Sequence, residues 1–287
     1  MDRKNLGINP LLESYGTHIE RIDKALEDEL NLYSGSEFLD PLKYAIADGK
    51  RIRPIILALA AESVGGDDGS VDENVYAAAC AIEFLHTESV IHDDIVDDEK
   101  KRRLKDPFHI KFGHNKSMLT GDFMLGVILN IASRLDNPRI TKDLAMAAMQ
   151  MSEGEAMEER LEGGQDVTFD DYLKVIEYKT AAAFKAAAKI GAIISGGTDV
   201  QVTALTSFGK NIGIAYQIRD DLLDWKNEDK IFNMLIKKSK DPRDVFDKME
   251  ELLKNYSSNA RSALANMPES HARAKLDTLV EFTMFKA

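Results

Sequence analysis

Apolar residues recur at three- and four-residue spacing along most of the chain, which is the period of an amphipathic helix. Val75, Ala78, Ala79, Ile82, Leu85, Ser89 and Ile91 form one broad stripe and predict a helix over about 72–95. The same spacing predicts helices over 118–135, 141–161, 168–194 and 199–225, with two shorter, peripheral ones near 241–257 and 269–286. Breaks fall at Gly65-Gly66-Asp67-Asp68-Gly69, Asp136-Asn137-Pro138, Gly163-Gly164 and Gly196-Gly197. The alanine runs 181–183 and 186–188 combine strong helix propensity with thin side chains, allowing close helix packing. No βαβ alternation, fixed-period repeat or low-complexity tract interrupts the pattern. The expected fold class is all-α, a single domain over residues 1–287.

Composition narrows the function classes. Hydrophobic residues make up 44% of the chain, enough for a sizeable core and too many for a disordered protein. The net charge of −12 argues against a duplex-coating nucleic-acid binder, whose surface would be basic. The one cysteine, Cys80, excludes a disulfide framework and a cysteine-based zinc site, and fits a reducing compartment. The longest purely apolar stretch, 55–61, falls far short of the roughly 20 residues of a membrane span. No apolar run follows Met1-Asp2-Arg3-Lys4, so no signal peptide is expected, and the protein reads as soluble and cytoplasmic.

Two acidic clusters carry the chemistry. Ile91-His92-Asp93-Asp94-Ile95-Val96-Asp97-Asp98 places Asp93 and Asp97 four residues apart, on one helix face. Like charges at that spacing oppose helix formation by roughly 0.2–0.5 kcal/mol per pair, and partial burial makes the repulsion worse. Hard divalent cations relieve it; Mg²⁺ takes carboxylate oxygens, keeps several waters and accepts substrate phosphates as further ligands. Gln217-Ile218-Arg219-Asp220-Asp221-Leu222-Leu223-Asp224 repeats the Asp-Asp-x-x-Asp spacing. One match is weak; two, each closing a long apolar helix, favour a shared site over two solvated helix ends. Arg102, Arg103 and the turn Gly49-Lys50-Arg51-Ile52-Arg53-Pro54 supply cations, and arginine forks match phosphate oxygens. Taken alone, that turn reads as a solvated basic loop. A pocket walled by both clusters and ringed by such cations suits a polyanion bound through metal ions.

Together these segments resemble the trans-isoprenyl diphosphate synthases, the polyprenyl synthetase family, from about Tyr44 to Trp225. The resemblance rests on Gly49-Lys50-Arg51-Ile52-Arg53-Pro54 and on Glu83-Phe84-Leu85-His86-Thr87-Glu88-Ser89-Val90-Ile91-His92-Asp93-Asp94, with Asp97 and Arg102-Arg103. It continues through Gly121-Asp122, Lys179-Thr180 and Gly213-Ile214-Ala215-Tyr216-Gln217-Ile218-Arg219-Asp220-Asp221-Leu222-Leu223-Asp224. It implies a helical bundle around a central cavity, usually a homodimer. By the same resemblance, Asp93, Asp97 and Asp220 would hold three Mg²⁺ ions on an allylic diphosphate, with Asp94, Asp221 and Asp224 as further or outer ligands. Arg102, Lys179 and Gln217 would grip that diphosphate, while Lys50, Arg53, His86 and Arg103 would grip isopentenyl diphosphate. Thr180 and Gln217 would face the carbocation formed on ionisation. His92 receives no role.

Two departures qualify the resemblance. The family's Gly-Lys-x-x-Gly-x-Asp segment after the second cluster is replaced by Trp225-Lys226-Asn227-Glu228-Asp229-Lys230, and Arg-Arg-Gly by Arg102-Arg103-Leu104. The site thus closes differently or needs a partner subunit, so a non-catalytic subunit of a heteromeric synthase stands as an alternative to the enzyme. Glu88 and Ser89, five and four residues before Asp93, stand where short-chain enzymes often place aromatics. Their size favours a product of C20 or longer, with geranylgeranyl diphosphate expected and a longer-chain synthase as the nearest enzyme alternative. Glu88 is unexpected beside a hydrocarbon tunnel; it turns outward or pairs with a base. A terpene cyclase is disfavoured because 220–224 lack the Asn, Ser and Glu mixture of its second metal motif. The isopentenyl set disfavours a head-to-head synthase.

Overall fold

The helix carrying the first acidic cluster is buried on nearly every side. It spans Glu73–Val96 (α4), starts where Asp72 accepts from the Asn74 N–H at 2.8 Å, and buries every residue from Ala78 through Leu85. A carboxylate cap at a helix start satisfies one of the orphan N–H groups there. The preceding helices are Gly16–Asn31 (α1), Leu39–Ile46 (α2) and Ile52–Gly65 (α3); the last buries 54–61 without a break. Structure is described from a computed structural model for residues 15–47, 49–65, 71–101, 105–162, 166–225 and 231–284.

After α4 come Phe108–Phe112 (α5), His114–Arg134 (α6) and Pro138–Glu162 (α7). The expected single helix over 168–194 is divided into three parts: Phe169–Ile176 (α8), a π turn Glu177–Ala181, and Ala182–Ile194 (α9). Asp199–Leu223 (α10) carries the second cluster, followed by Ile231–Lys238 (α11), Pro242–Leu264 (α12) and His271–Met284 (α13). Thr168 and Thr198 open α8 and α10 with reciprocal capping boxes to Asp171 and Gln201. Every regular element among the described residues is helical.

The alanine runs pack as their thin side chains suggest: α9 lies against α3, α4, α7 and α10. Close approach is made possible by glycines at the contacts, one on α10 and one on α9 itself. A Cβ on Gly209 of α10 would sit 2.6 Å from the Phe184 carbonyl oxygen, and one on Gly191 would sit 2.3 Å from that of Leu57. The two C-terminal helices are not peripheral, contrary to the expectation from their amphipathic pattern. α12 packs along α10, and α13 packs on α3 and α12. Val245, Met249, Ser257 and Ala260 form the inner face of α12, where serine and alanine stand in for the bulky residues that periodicity looks for. No helix among the described residues is long and apolar enough to cross a membrane.

Candidate active site

Both clusters lie at helix C-termini, and neither α4 nor α10 has a basic residue in its last turn. The helix macrodipole places partial negative charge there, so aspartates add to a field that already opposes them. Asp93 is half-buried, and burial, Glu155 and Asp97 push its carboxyl well above the usual range, against the pull of Lys179. Asp97 is raised in the same way, first by burial and then by Glu155 and Glu158.

The four aspartates around the end of α4 divide by direction. Asp94 is 3% exposed and accepts the Phe108 N–H at 3.3 Å, tying the start of α5 to α4. Asp98 accepts from Lys100 at 2.5 Å and lies 3.8 Å from His109. Asp93 and Asp97 share the electrostatic neighbourhood of Lys179 instead.

The π turn links the two clusters. Lys179 lies 2.5 Å from Glu155 and 2.7 Å from Glu158 on α7. Burial alone would lower its ammonium, yet Glu158, Asp93 and Glu155 carry it well above the usual lysine range. The next residue, Thr180, donates its hydroxyl to Gln217 Oε1 at 2.8 Å, and Gln217 Nε2 donates to Asp221 Oδ1 at 2.9 Å. Tyr172 of α8 donates to the other Asp221 oxygen at 2.6 Å. Consecutive residues of one turn therefore reach opposite acid clusters. Gly154 makes this possible: a Cβ there would lie 2.3 Å from the Lys179 backbone nitrogen. Bulges with the π hydrogen-bond pattern recur at functional sites.

The basic turn before α3 is divided by the fold. Arg51, with φ of 58°, is buried and bonded to Asp23 at 2.9 Å, Glu83 at 2.7 Å and the Ile46 carbonyl at 2.8 Å, so it is structural. Lys50 is exposed. Arg53 stacks over Phe184 at 4.6 Å, and its buried Nε has no hydrogen-bond partner among the described residues. Burial lowers its guanidinium, offset by Tyr216, Glu83 and Asp220, which places this cation in the field of the second cluster. His86 is half-buried on α4, seven residues before Asp93 and on its face. Asp220 and Asp224 are half-buried at the end of α10. Arg102, Arg103, Lys226 and Lys230 lie outside the described residues.

Glu88 pairs with a base: it meets His92 Nδ1 at 3.0 Å, and the other edge of the ring lies over Gly121, where a Cβ would come within 2.3 Å. His92 thus fills the α4–α6 seam.

Sequence reasoning missed Glu155, Glu158 and Glu162, a third acidic wall on α7. Glu162 is pushed up to about 7 by burial, Glu158 and Asp97. Their spacing puts them near one face of α7, a signal present in the sequence but shared with ordinary solvated helices.

The donor set is all oxygen, crowded and only partly neutralised by Lys179, which suits a hard cation. Among the described residues no three His, Cys, Asp or Glu side chains converge into a ready cage. Mg²⁺ needs none, since it uses one or two carboxylates together with waters and substrate phosphates.

A helical fold with two aspartate clusters joined through a π turn defines an isoprenoid synthase-type protein. The chain belongs to the polyprenyl synthetase family, whose model matches residues 36–241. It is 36% identical over 71% of its length to a short chain isoprenyl diphosphate synthase of Methanothermobacter thermautotrophicus, spanning 63% of that relative. It is 34% identical over 75% of its length to a geranylgeranyl diphosphate synthase of Methanosarcina mazei, spanning 67% of it. Its fold matches that of a decaprenyl diphosphate synthase from Rhodobacter capsulatus with a TM-score of 0.84 at 25% identity, covering 96% of this chain and 98% of that one. A geranylgeranyl pyrophosphate synthetase from Pyrococcus horikoshii matches with a TM-score of 0.83 at 27% identity, covering 98% and 100%. The family is one of prenyltransferases, and its members here span short and long products.

Proposed function

We propose that this chain condenses an allylic diphosphate with isopentenyl diphosphate, trans and head to tail, to give geranylgeranyl diphosphate. The observation that carries this reading is the π turn, where Lys179 pairs with Glu155 and Glu158 of α7 in the field of Asp93, while Thr180 is tied through Gln217 to Asp221 of α10. Asp93, Asp97 and Asp220 would hold Mg²⁺, three ions per site by family resemblance, with Asp224 as a further ligand. Asp94 and Asp221 act from behind: their carboxylates are committed to Phe108, and to Tyr172 and Gln217. Bound Mg²⁺ supplies electrophilic stabilisation of the charge that gathers on the leaving diphosphate.

The chain's own groups do the rest. Lys179 and Arg102 hold the allylic diphosphate, and their charges favour ionisation of the C–O bond. Arg53, Lys50, His86 and Arg103 hold isopentenyl diphosphate; the unpartnered Nε of Arg53 is the strongest support for that subsite. Gln217, fixed by Asp221, and Thr180 present oxygens to the allylic cation while the isopentenyl double bond attacks it. The isopentenyl double bond is the nucleophile and the departing diphosphate takes the proton, so neither an enzyme nucleophile nor an enzyme base is needed. The absence of an aromatic at Glu88 and Ser89 supports a C20 product, with a longer chain as the alternative.

The altered segment at 226–230 favours a second reading, a subunit that needs a partner chain. Exposed Met118, Leu119, Leu125 and Leu129 on α6 and Met146 and Met149 on α7 support pairing of two copies.

The test is incubation of the purified chain with radiolabelled isopentenyl diphosphate, dimethylallyl, geranyl or farnesyl diphosphate, and Mg²⁺. Dephosphorylated products are then separated by chain length. A C20 product is expected, and Asp93→Ala or Asp220→Ala should lose about 100-fold or more in rate. A product longer than C20 assigns the longer-chain alternative. No incorporation over a full Mg²⁺ titration would favour the subunit reading.

A further inference from the structure

Lys179 spends both of its close contacts on α7. Its ammonium lies 2.5 Å from Glu155 and 2.7 Å from Glu158, whose side chains are 18% and 16% exposed. Glu155 also raises the Asp93 carboxyl, while Lys179 pulls it down, so the lysine and the leading aspartate of the first cluster both answer to one carboxylate. The backbone beneath Lys179 has little freedom, being pressed against Gly154 of α7. The four-carbon stem is the part that can move.

An ammonium has three N–H donors and one unit of charge. Drawn into the α7 carboxylates, it has little of either left for a phosphate oxygen. A divalent cation arriving at Asp93 competes with Lys179 for the same negative charge, and it weakens the hold of Glu155 on both groups. Two ligands that compete through a shared partner in this way are coupled. Cation binding frees the lysine, and a lysine engaged by diphosphate leaves the carboxylates to the cation.

We propose that Glu155 and Glu158 are positioning residues that hold Lys179 against α7 until divalent cations arrive, so that diphosphate affinity depends on the cations. This rests on the proposed function only in that the site takes a diphosphate together with divalent cations.

Isothermal titration of the full chain with inorganic pyrophosphate, in EDTA and in MgCl₂, tests the coupling without turnover. The wild-type protein should bind pyrophosphate much more tightly with Mg²⁺. Glu155→Gln should bind it about tenfold more tightly in EDTA with little change in MgCl₂, shrinking the coupling about tenfold, within the usual range for linked sites. Glu158→Gln should act in the same direction and serves if Glu155→Gln fails to fold by circular dichroism.

In a Lys179→Ala background, Glu155→Gln should change the EDTA affinity by less than about twofold, because there is no lysine to release. A tenfold gain that survives in that background would show bulk repulsion by the carboxylate and overturn the positioning role. So would wild-type coupling in both glutamine variants. Absence of any Mg²⁺-dependent pyrophosphate binding by the wild-type protein would instead count against the diphosphate reading itself, and would take this inference with it.

Discussion

Replacing Gly154 by alanine adds one methyl group where α7 touches the π turn. Its Cβ would sit 2.3 Å from the Lys179 nitrogen, 2.8 Å from Lys179 Cα and 2.9 Å from the Tyr178 carbonyl carbon. Ordinary van der Waals contact begins near 3.4 Å, so the turn has to retreat by about 1 Å, and all three neighbours are backbone atoms. Overpacking of this kind costs about 1–3 kcal/mol. Alanine returns about 1 kcal/mol in a helix interior relative to glycine, which leaves a net loss of about 0–2 kcal/mol. The same displacement carries Lys179 and Thr180 away from both clusters, and a misplacement of 1 Å can cost about 100-fold in rate. Thermal melting by circular dichroism and steady-state kcat/KM should be measured on the same preparation. Activity is expected to fall by about 100-fold while the protein remains folded at assay temperature. Wild-type kcat/KM in Gly154→Ala would refute the view that the π turn positions the reacting site.

Three further outcomes follow from the charges and faces described above. Asp93, Asp97 and Glu162 hold their protons more tightly in the folded chain than ordinary carboxyls do, so their contribution to stability is complete below about pH 4 and is lost as pH climbs through the raised folded values, about 7 for Glu162. In EDTA the Tm should therefore fall between pH 5 and pH 8.5, and MgCl₂ should remove most of that fall; a metal-free Tm that rises over this range would contradict the assignment. Arg51→Ala leaves Glu83 buried without its 2.7 Å partner and should cost about 3–5 kcal/mol in chemical denaturation, whereas an exposed ion pair would cost less than about 1. Leu129→Glu puts a charge on the exposed apolar stripe of α6; the unaltered chain should sediment as a dimer and the variant as a monomer, and a dimer in both would move the pairing surface elsewhere.

Helix periodicity was sufficient to locate the long elements, because α4, α6, α7 and α10 each repeat their apolar residues over five or more turns. The π turn was not legible. Glu177-Tyr178-Lys179-Thr180-Ala181 has no local signature for a wider turn, which depends on the bare Gly154 backbone more than twenty residues earlier in the chain. α12 misled for a related reason, since its inner face uses Ser257 and Ala260 where helices come close, and small residues carry little hydrophobic signal.

At the site, the repeated aspartate spacing was visible because like charges four residues apart are unusual at the end of an apolar helix. Which aspartates serve the cavity was not, since Asp94 and Asp221 differ from their neighbours only in what folds against them. Arg51 and Arg53 show the same limit. They are two residues apart in one basic turn, yet one is locked between Asp23 and Glu83, and the other keeps a buried Nε that finds no hydrogen-bond partner among the described residues.

Electron paramagnetic resonance of Mn²⁺, titrated into the full chain with and without inorganic pyrophosphate, asks directly whether carboxylates from two helices join through metal and diphosphate. More ions should bind tightly when pyrophosphate is present than when it is absent, and both Asp93→Asn and Asp220→Asn should lose that increment. An increment that survives Asp220→Asn unchanged would mean that the cluster on α10 takes no part in holding the ions.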